Sequence, residues 1–474
     1  MSVGAFPGLA AGGLVLALLL VLGWGPSARS FAARRSGLAE RVARALAWGA
    51  ALWGLCGFAL NVAGFAVSVW QLAVFSASSA LLCGLARALS RNAPEQPAPE
   101  RPSPASPAHV SPAHAPLGPK QSPSPSTARV GRLATLLLLP VLLIALASTL
   151  GQPLCGDGSK FWLPKAYDSL NAGVPDTPAL QDSEHLGFHR NYPLLGPVLL
   201  APALQLAAPD NHLAAKTVLA GLHVALLVLL VLLLKREGAA GAWLALLAVA
   251  MPVWLSADAA ASPGAGGLMD GVLALFLLLL VDAVDALRRR GCPSVHDAAL
   301  WIAALACIKL EGGVAAALVL GVALLVGPRR EAWWAVLLPL LATVMLLGVF
   351  LLSVPASPPI TKLELLRDPS NLAVRVPVLL TGFVGVLTDA ARFGLLPLGL
   401  LTLALSRPGR RAGFAWLLLL GVAAFLSCVY LSTTMHLGRH LETSAHRLAL
   451  QWLPAFALLA ARAVSAPSET TDGR

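Results

Sequence analysis

The chain has 474 residues, of which 57% are hydrophobic and only 12% are charged. That charged share is about half the share in a typical soluble domain, and a soluble fold this apolar could not cover its own surface. The net charge of +11 does not indicate a nucleic-acid partner. Arg and Lys occur in short clusters between apolar runs, which is typical of cytoplasmic loops, whereas a nucleic-acid site needs a basic face on a soluble domain.

Repeated apolar runs predict an all-α, polytopic transmembrane helical bundle in the lipid bilayer. About 20 helical residues cross the hydrocarbon core, and inside lipid each backbone polar group must be satisfied within its helix. Thirteen candidate spans follow, at 5–24, 43–64, 66–88, 133–150, 213–234, 240–256, 268–287, 298–309, 313–327, 333–353, 392–406, 413–431 and 447–463.

The basic clusters predict the orientation of these spans. Arg29 and Arg34 follow the first apolar run, which favours an uncleaved span whose N-terminus lies outside. The clusters at 29–41, 235–236, 288–290, 329–330 and 407–411 then all fall in the cytoplasm. The composition suggests a multi-pass protein of a bacterial inner, or plasma, membrane.

A proline-rich segment divides the chain. Residues 91–129 contain eleven prolines and little apolar sequence, so we expect a disordered cytoplasmic linker. It separates a three-span N-terminal unit, 1–90, from a ten-span body, 130–465. Residues 466–474 are expected to form a disordered tail.

Four segments are expected on the outer side, at 151–212, 257–267, 354–391 and 432–446. The first is the longest and most polar of them. Its stretch at 193–209 is apolar but interrupted by four prolines, which disfavour a regular spanning helix. We expect an interfacial helix lying on the membrane there.

Carboxylates near the outer ends of spans are candidates for chemistry. Asp157 directly follows a span, where it can act as a general base, ligate a divalent cation, or merely cap a helix. Asp258 and Asp270 flank a Gly- and Ala-rich turn. Asp270 is either an acid favoured by the helix dipole or a second acid that faces the same cavity as Asp157.

Lys309 and Glu311 interrupt the apolar stretch at 298–327. Both flanks of this stretch are basic, which places both of its ends on the cytoplasmic side. Two short helices, one crossing toward the outer face and one returning, would satisfy this and would place the break near the outer face. Intramembrane charges are costly and tend to find partners, and residues two apart on a helix do not face each other. The pair is therefore either a cation site for a lipid-linked phosphate or a structural tie for the outer loop.

Other outer-side cations could also meet phosphate. Arg447 opens the final span, where it opposes the helix dipole and requires an anion such as phosphate or the Glu442 carboxylate. Arg190 and His189 could grip a phosphate at headgroup depth. They could instead anchor the chain at the membrane interface together with Tyr192.

The order of these motifs resembles the GT-C superfamily of membrane glycosyltransferases, over roughly residues 130–465. The order is Asp157 after a span, W-L-P-K-A at 162–166, Y-P-L at 192–194, an acid-bearing loop at 258–270, and K-L-E-G at 309–312, with Arg447 near the last span. The resemblance implies a hexosyl or pentosyl transferase that uses a polyprenyl-phosphate-linked sugar on the extracytoplasmic side. A glycan, lipid or protein would accept the sugar by a single inverting displacement.

The resemblance also implies residue roles. The catalytic acids would be Asp157 and Asp270, with Asp258 as the alternative to Asp270. Lys309 and Arg447 would bind the donor phosphate, and Arg190 is a third candidate for the same role. Supporting residues would be Lys165, His189, Tyr192, Glu311 and His446.

Two questions stay open at the level of sequence. Many relatives carry paired acids at the first position, whereas Gly156 and Gly158 flank a lone Asp157, so a divalent cation is possible but not required. The alternatives to the glycosyltransferase are a polytopic transporter or lipid-linked sugar flippase, and a noncatalytic membrane scaffold.

Overall fold

The computed structural model describes residues 5–29, 37–92, 124–154, 157–182, 190–207, 211–255, 269–290, 295–326, 331–355, 361–406 and 413–465. These ranges are almost entirely helical, and the only β-pairing in them is an isolated bridge between Thr361 and Thr433. Their α-helices are α1 (Ala5–Arg29), α2 (Leu38–Val62), α3 (Val69–Asn92), α4 (Pro125–Gly151), α5 (Leu163–Asn171), α6 (Pro178–Gln181), α7 (Leu195–Leu206), α8 (Leu213–Lys235), α9 (Gly238–Val249), α10 (Asp270–Arg290), α11 (Val295–Ile308), α12 (Leu310–Leu325), α13 (Glu331–Ser353), α14 (Pro369–Thr388), α15 (Ala390–Phe393), α16 (Leu396–Ser406), α17 (Gly413–Ser432) and α18 (Leu437–Ser465).

Seven helical segments in the described ranges are long and apolar enough to cross a membrane on their own. They are α1, α2, α4, α8, α14 together with α15, α17 and α18. Six further apolar helical stretches are shorter, between 10 and 17 residues. The all-α membrane class expected from composition is therefore confirmed, whereas seven segments rather than thirteen reach the length of a span.

The N-terminal helices pack into the rest of the protein instead of forming a bundle apart. Helix α2 contacts α7, α8 and α11. The indole of Trp53 donates to the carbonyl of Val198 on α7 at 3.1 Å, and the amide of Asn61 donates to the carbonyl of Ala172, just after α5, at 2.9 Å. These bonds make α2 a support for the segment that carries Asp157.

Helix α4 begins inside the segment predicted as a linker. The Ser124 hydroxyl accepts a hydrogen bond from the backbone N–H of Thr127, and Pro125 occupies the first turn. An N-cap serine followed by proline favours the start of a helix. The helix therefore begins here, although the composition of this segment had predicted disorder. The remainder of the predicted linker, 93–123, and the tail at 466–474 lie outside the described residues.

The expectation of an interfacial helix at 193–209 was wrong in one respect. Helix α7 forms there and is too short to span, but every residue from Leu195 to Leu204 is buried within the protein. It packs against α2, α5 and α8 instead of lying on a membrane surface. Helix α7 is apolar on all sides, as expected for a helix that is enclosed by other helices.

The predicted break at Lys309 is confirmed. Helix α11 ends at Ile308, Lys309 has extended backbone angles, and α12 begins at Leu310 and packs back on α11. The expected outer segment at 354–391 instead contains α14. Helix α14 continues through α15 and a left-handed turn at Gly394 (φ +55°) into α16.

Helices α10 and α18 run side by side in the same direction and are joined near both ends. At the far ends, Arg462 contacts Asp282 at 2.5 Å and Asp285 at 3.0 Å, and Arg44 of α2 contacts Asp282 at 2.6 Å and Glu40 at 2.9 Å. We call these five residues the distal cluster. Sequence analysis missed it, although charges inside apolar runs usually pair with one another.

We predict that Gly49→Ala destabilises the protein. A Cβ at Gly49 would lie 1.8 Å from the carbonyl oxygen of Leu19, which is backbone of α1 and cannot move aside. Overpacking of this kind costs about 1–3 kcal/mol. The measurement is the thermal unfolding midpoint of the purified protein in detergent.

Gly13→Ala is the matched control, because a Cβ there meets nothing within 4 Å on the same helix pair. Alanine is favoured over glycine inside a helix by roughly 0.5–1 kcal/mol, so this variant should be neutral or slightly stabilised. Equal midpoints for the two variants would show that α1 and α2 do not pack as closely as described.

Candidate functional site

Asp270 is the centre of a buried ionic cluster at the start of α10. Its Oδ1 lies 2.9 Å from Lys309 Nζ and 2.6 Å from Gln451 Nε2, and its Oδ2 lies 2.7 Å from Arg447 Nε. The residue is 1% exposed. A buried carboxylate is stable only when cations and donors surround it, and both oxygens of Asp270 are engaged.

Arg447 links Asp270 to Asp157. While its Nε binds Asp270, its Nη2 lies 2.6 Å from Asp157 Oδ2. The planar guanidinium presents donors in a fixed fork, so one arginine can hold two carboxylates at once. We call Asp157, Asp270, Lys309, Arg447 and Gln451 the site cluster.

The two acids of the site cluster differ in accessibility. The side chain of Asp157 is 29% exposed and that of Arg447 is 22% exposed, against 1% for Asp270. Asp157 precedes a short π-helix, Gly158–Trp162, that runs directly into α5. Asp157 is therefore the acid that is open to solvent, and Asp270 is the acid that holds the cations in place.

An aromatic group with a second carboxylate borders the site cluster. The Tyr192 hydroxyl donates to Glu311 Oε1 at 3.0 Å, and its ring stacks on Trp162 with centroids 6.0 Å apart. Burial, followed by the Glu311 carboxylate, raises the pKa of Tyr192 well above its usual range. Asp157 also raises this pKa and Arg447 lowers it, which shows that the phenol lies within electrostatic reach of the site cluster.

Lys165 supports the turn that carries Tyr192. Its side chain is fully buried, and Nζ donates to the carbonyl of Tyr192 at 3.3 Å. Burial lowers the pKa of Lys165 to about 7, and the Asp168 carboxylate opposes this shift. Burial likewise raises the pKa of Asp168. Lys165 therefore acts on the site through the backbone of Tyr192.

The remaining predicted residues lie elsewhere or outside the described ranges. His446 points to the joint between α14 and α15, where Nε2 is 3.0 Å from Asp389 Oδ2 and the ring stacks on Phe393. Arg190 is 2% exposed, so its guanidinium is enclosed by protein instead of facing a headgroup. His189 and Asp258 fall on residues that the structure does not describe.

The site cluster does not fit a divalent cation. In the described part of the chain, no three His, Cys, Asp or Glu side chains are grouped so that they could hold a metal ion. Where a metal would lie between Asp157 and Asp270, the guanidinium of Arg447 bridges the two carboxylates.

Sequence analysis predicted most of the site cluster but not Gln451. This residue lies four positions after Arg447 on α18, so both side chains point to the same face of the helix. The sequence did contain a signal for Gln451. It is a polar residue within an apolar run, one helical turn after Arg447.

Comparison with models of protein families, with curated proteins and with solved structures finds no match to this chain. The fold and the site cluster themselves define the class of the protein: an all-α membrane protein with a buried cluster of acids and cations.

We predict that Asp270→Asn destabilises the protein by about 3–5 kcal/mol, because it leaves the buried Lys309 ammonium without a counter-charge. Asp157→Asn should cost much less, since Asp157 is partly exposed. The double variant Asp270→Asn/Lys309→Met removes both buried charges and should recover part of the loss. Unfolding midpoints in detergent measure all three, and a double variant no more stable than Asp270→Asn would contradict the pairing.

We predict a pH-dependent stability that depends on Lys165. Its folded pKa is about 7, below the value near 10.4 of an unfolded lysine. Between these values the unfolded chain binds a proton that the folded chain does not, so stability rises with pH, by at most about 1.4 kcal/mol per unit.

From pH 7 to pH 9 the wild type should therefore gain stability relative to Lys165→Met. The exposed Lys160 serves as the control, and Lys160→Met should keep the pH slope of the wild type. An unchanged slope in Lys165→Met would mean that Lys165 stays charged when buried.

Proposed function

We propose that the protein is an integral-membrane glycosyltransferase that moves a sugar from a polyprenyl-phosphate carrier to an extracytoplasmic acceptor. The observation that carries the proposal is the site cluster: acids and cations from four distant segments of the chain meet at one end of the bundle, and an apolar groove along α18 starts from that end. Neither feature alone selects this chemistry, but a lipid-linked phosphate donor needs both.

The groove fits the tail of a lipid. It has a volume of about 340 Å³ and lies between α14, α16, α17 and α18. Its lining is almost wholly apolar and includes Phe383, Leu401, Leu419, Tyr430, Trp452 and Val464. Along α18 it extends from Ala445 to Val464, which is about 28 Å at 1.5 Å per residue and close to the hydrocarbon thickness of a bilayer.

The groove begins at the end of α18 that carries Arg447. Ala445 and Leu448 line it, whereas Arg447 and Gln451 lie on the face of α18 that meets α10. A polyprenyl tail in the groove would place its phosphate at this end of α18, where the guanidinium of Arg447 matches phosphate oxygens. Lys309 is only 4% exposed and bound to Asp270, so in this scheme it positions the site cluster and adds positive charge behind Arg447.

Phosphate binding would release the general base. Arg447 Nη2 is held by Asp157 before the donor arrives, and the phosphate competes for the same donor group. Asp157 then loses its partner and its carboxylate is free to meet the acceptor, while Arg447 remains fixed by Asp270 through Nε. The arrangement favours binding of the donor before deprotonation of the acceptor.

The reaction is a single displacement. Asp157 takes the proton from an acceptor hydroxyl or amine, and the acceptor atom forms a bond to the anomeric carbon of the sugar. The bond between that carbon and the phosphate oxygen breaks, and its electron pair stays on the phosphate. Arg447 and Lys309 stabilise this departing charge, and the configuration at the anomeric carbon inverts.

A lipid-linked sugar flippase is the second candidate, and the length of the groove favours it. A groove that runs from the site end of α18 nearly to the distal cluster could guide a lipid tail across the bilayer. In that case the protein would move polyprenyl-phosphate sugars between leaflets of a liposome without transferring the sugar to any acceptor.

We predict that Asp157→Asn lowers sugar transfer at least about 100-fold, the usual contribution of a general base, yet tightens binding of undecaprenyl phosphate. Because the pair with Arg447 is partly exposed, the gain should be about two- to five-fold. Transfer is measured with radiolabelled polyprenyl-phosphate sugars in liposomes that contain cell-envelope extract as acceptor, and binding is measured with labelled undecaprenyl phosphate in detergent.

The exposed Asp176 of the same outer segment provides the control, and Asp176→Asn should change neither quantity. Arg447→Gln should weaken phosphate binding and abolish transfer. Full transfer by Asp157→Asn would remove the proposed base, and transbilayer movement without transfer would favour the flippase.

A further inference from the structure

Two buried polar atoms beside Tyr192 have no hydrogen-bond partner among the described residues. They are Oε2 of Glu311, an acceptor, and Nε1 of Trp162, a donor. Buried polar atoms in folded proteins are nearly always paired, because an unmade hydrogen bond costs about 1–3 kcal/mol. An unpaired donor and an unpaired acceptor on two residues that contact the same tyrosine therefore point to a ligand that would pair them.

Tyr192 contacts both residues that carry the unpaired atoms. Its ring stacks on Trp162 at an interplanar angle of 13°, and its hydroxyl donates to the other oxygen of Glu311 at 3.0 Å. Phe161 packs against both rings, with centroids 4.8 Å from Trp162 and 6.1 Å from Tyr192. Tyr192 thus packs on both residues, and its displacement would open space next to each of them.

The same two residues are tied to the site cluster by short stretches of backbone. Trp162 ends the five-residue π-helix that Asp157 directly precedes, so the two residues are about one helical turn apart. Glu311 follows Lys309 by two residues in the first turn of α12. The unpaired atoms therefore belong to the segments that hold the reactive acid and the buried ammonium.

The chemistry of the unpaired atoms selects among the parts of a polyprenyl-phosphate sugar. A phosphate only accepts hydrogen bonds and is repelled by the Glu311 carboxylate, and an apolar tail satisfies neither atom. A sugar hydroxyl both donates and accepts. A polyhydroxylated ring can thus donate to Glu311 Oε2 and accept from Trp162 Nε1.

We propose that Glu311 and Trp162 form the subsite for the sugar of the lipid-linked donor, and that Tyr192 closes this subsite when no sugar is bound. The proposal rests on the glycosyltransferase function proposed above. It assigns the recognition of the sugar to residues that do not contact the phosphate, so loss of sugar recognition and loss of carrier binding are separate events.

The test compares bare undecaprenyl phosphate with undecaprenyl phosphate that carries glucose, mannose, galactose or arabinose. The wild type should bind at least one of the four glycolipids more tightly than the bare carrier, by about ten-fold, the value of one hydrogen bond to a charged group. Glu311→Gln and Trp162→Phe should each remove most of this preference and leave binding of the bare carrier unchanged.

Matched controls are available for both variants. Glu364 is an exposed glutamate and Trp243 is a 56% exposed tryptophan, so Glu364→Gln and Trp243→Phe should keep the preference. Each subsite variant is judged separately, so a variant that fails to fold leaves the other to decide. Phenylalanine preserves an aromatic ring for Tyr192 to stack on, which makes Trp162→Phe the milder change.

The outcomes separate the subsite from the proposed function. A wild type that binds the bare carrier but prefers no glycolipid, or folded variants that keep the preference, would overturn the subsite while leaving the phosphate site standing. Variants that lose the bare carrier as well would show a supporting role in the site cluster instead. A wild type that binds no polyprenyl phosphate at all would overturn the proposed function itself.

Discussion

The structure depends on one buried carboxylate. Asp270 begins α10 at 1% exposure, and it gathers Lys309 from the break between α11 and α12 with Arg447 and Gln451 from α18. A charge at this depth is stable only with such partners, so its position requires α10, α18 and the break to be in register. The proposed chemistry builds on that requirement, because Asp270 holds one side of the Arg447 guanidinium while the other side binds Asp157.

A second set of buried charges makes this register rigid. Arg462 lies fifteen residues after Arg447 on α18 and binds Asp282 and Asp285 of α10, about 22 Å away along the helix. Because the two parallel helices are joined near both ends, neither can slide without separating several ion pairs. Arg44 extends the distal cluster to α2, which also supports α5 and α7 through Asn61 and Trp53. The N-terminal helices thereby stabilise the segment that presents Asp157.

Three carboxylates at or near the site cluster differ in burial and in their partners. Asp270 is enclosed, with both oxygens paired, whereas Asp157 is accessible and holds a cation that a phosphate takes in the proposed scheme. Glu311 has one oxygen bonded and one unpaired among the described residues. Sequence position alone could not separate these roles, since all three acids lie at the ends of apolar runs. Depth and partners separate them, because these decide which carboxylate can exchange its partner for a substrate.

The sequence by itself determined the membrane class and the helical break at Lys309, and it singled out four residues that the structure brings together, Asp157, Asp270, Lys309 and Arg447. Apolar runs have a length set by the bilayer, and a charge inside such a run needs a partner. Only the tertiary structure decided that α7 is enclosed rather than interfacial, that α14 replaces an expected loop, and that Gln451 and the distal cluster exist. Those features depend on contacts between helices that are far apart in the sequence. Local hydropathy carries no information about which helix faces contact each other.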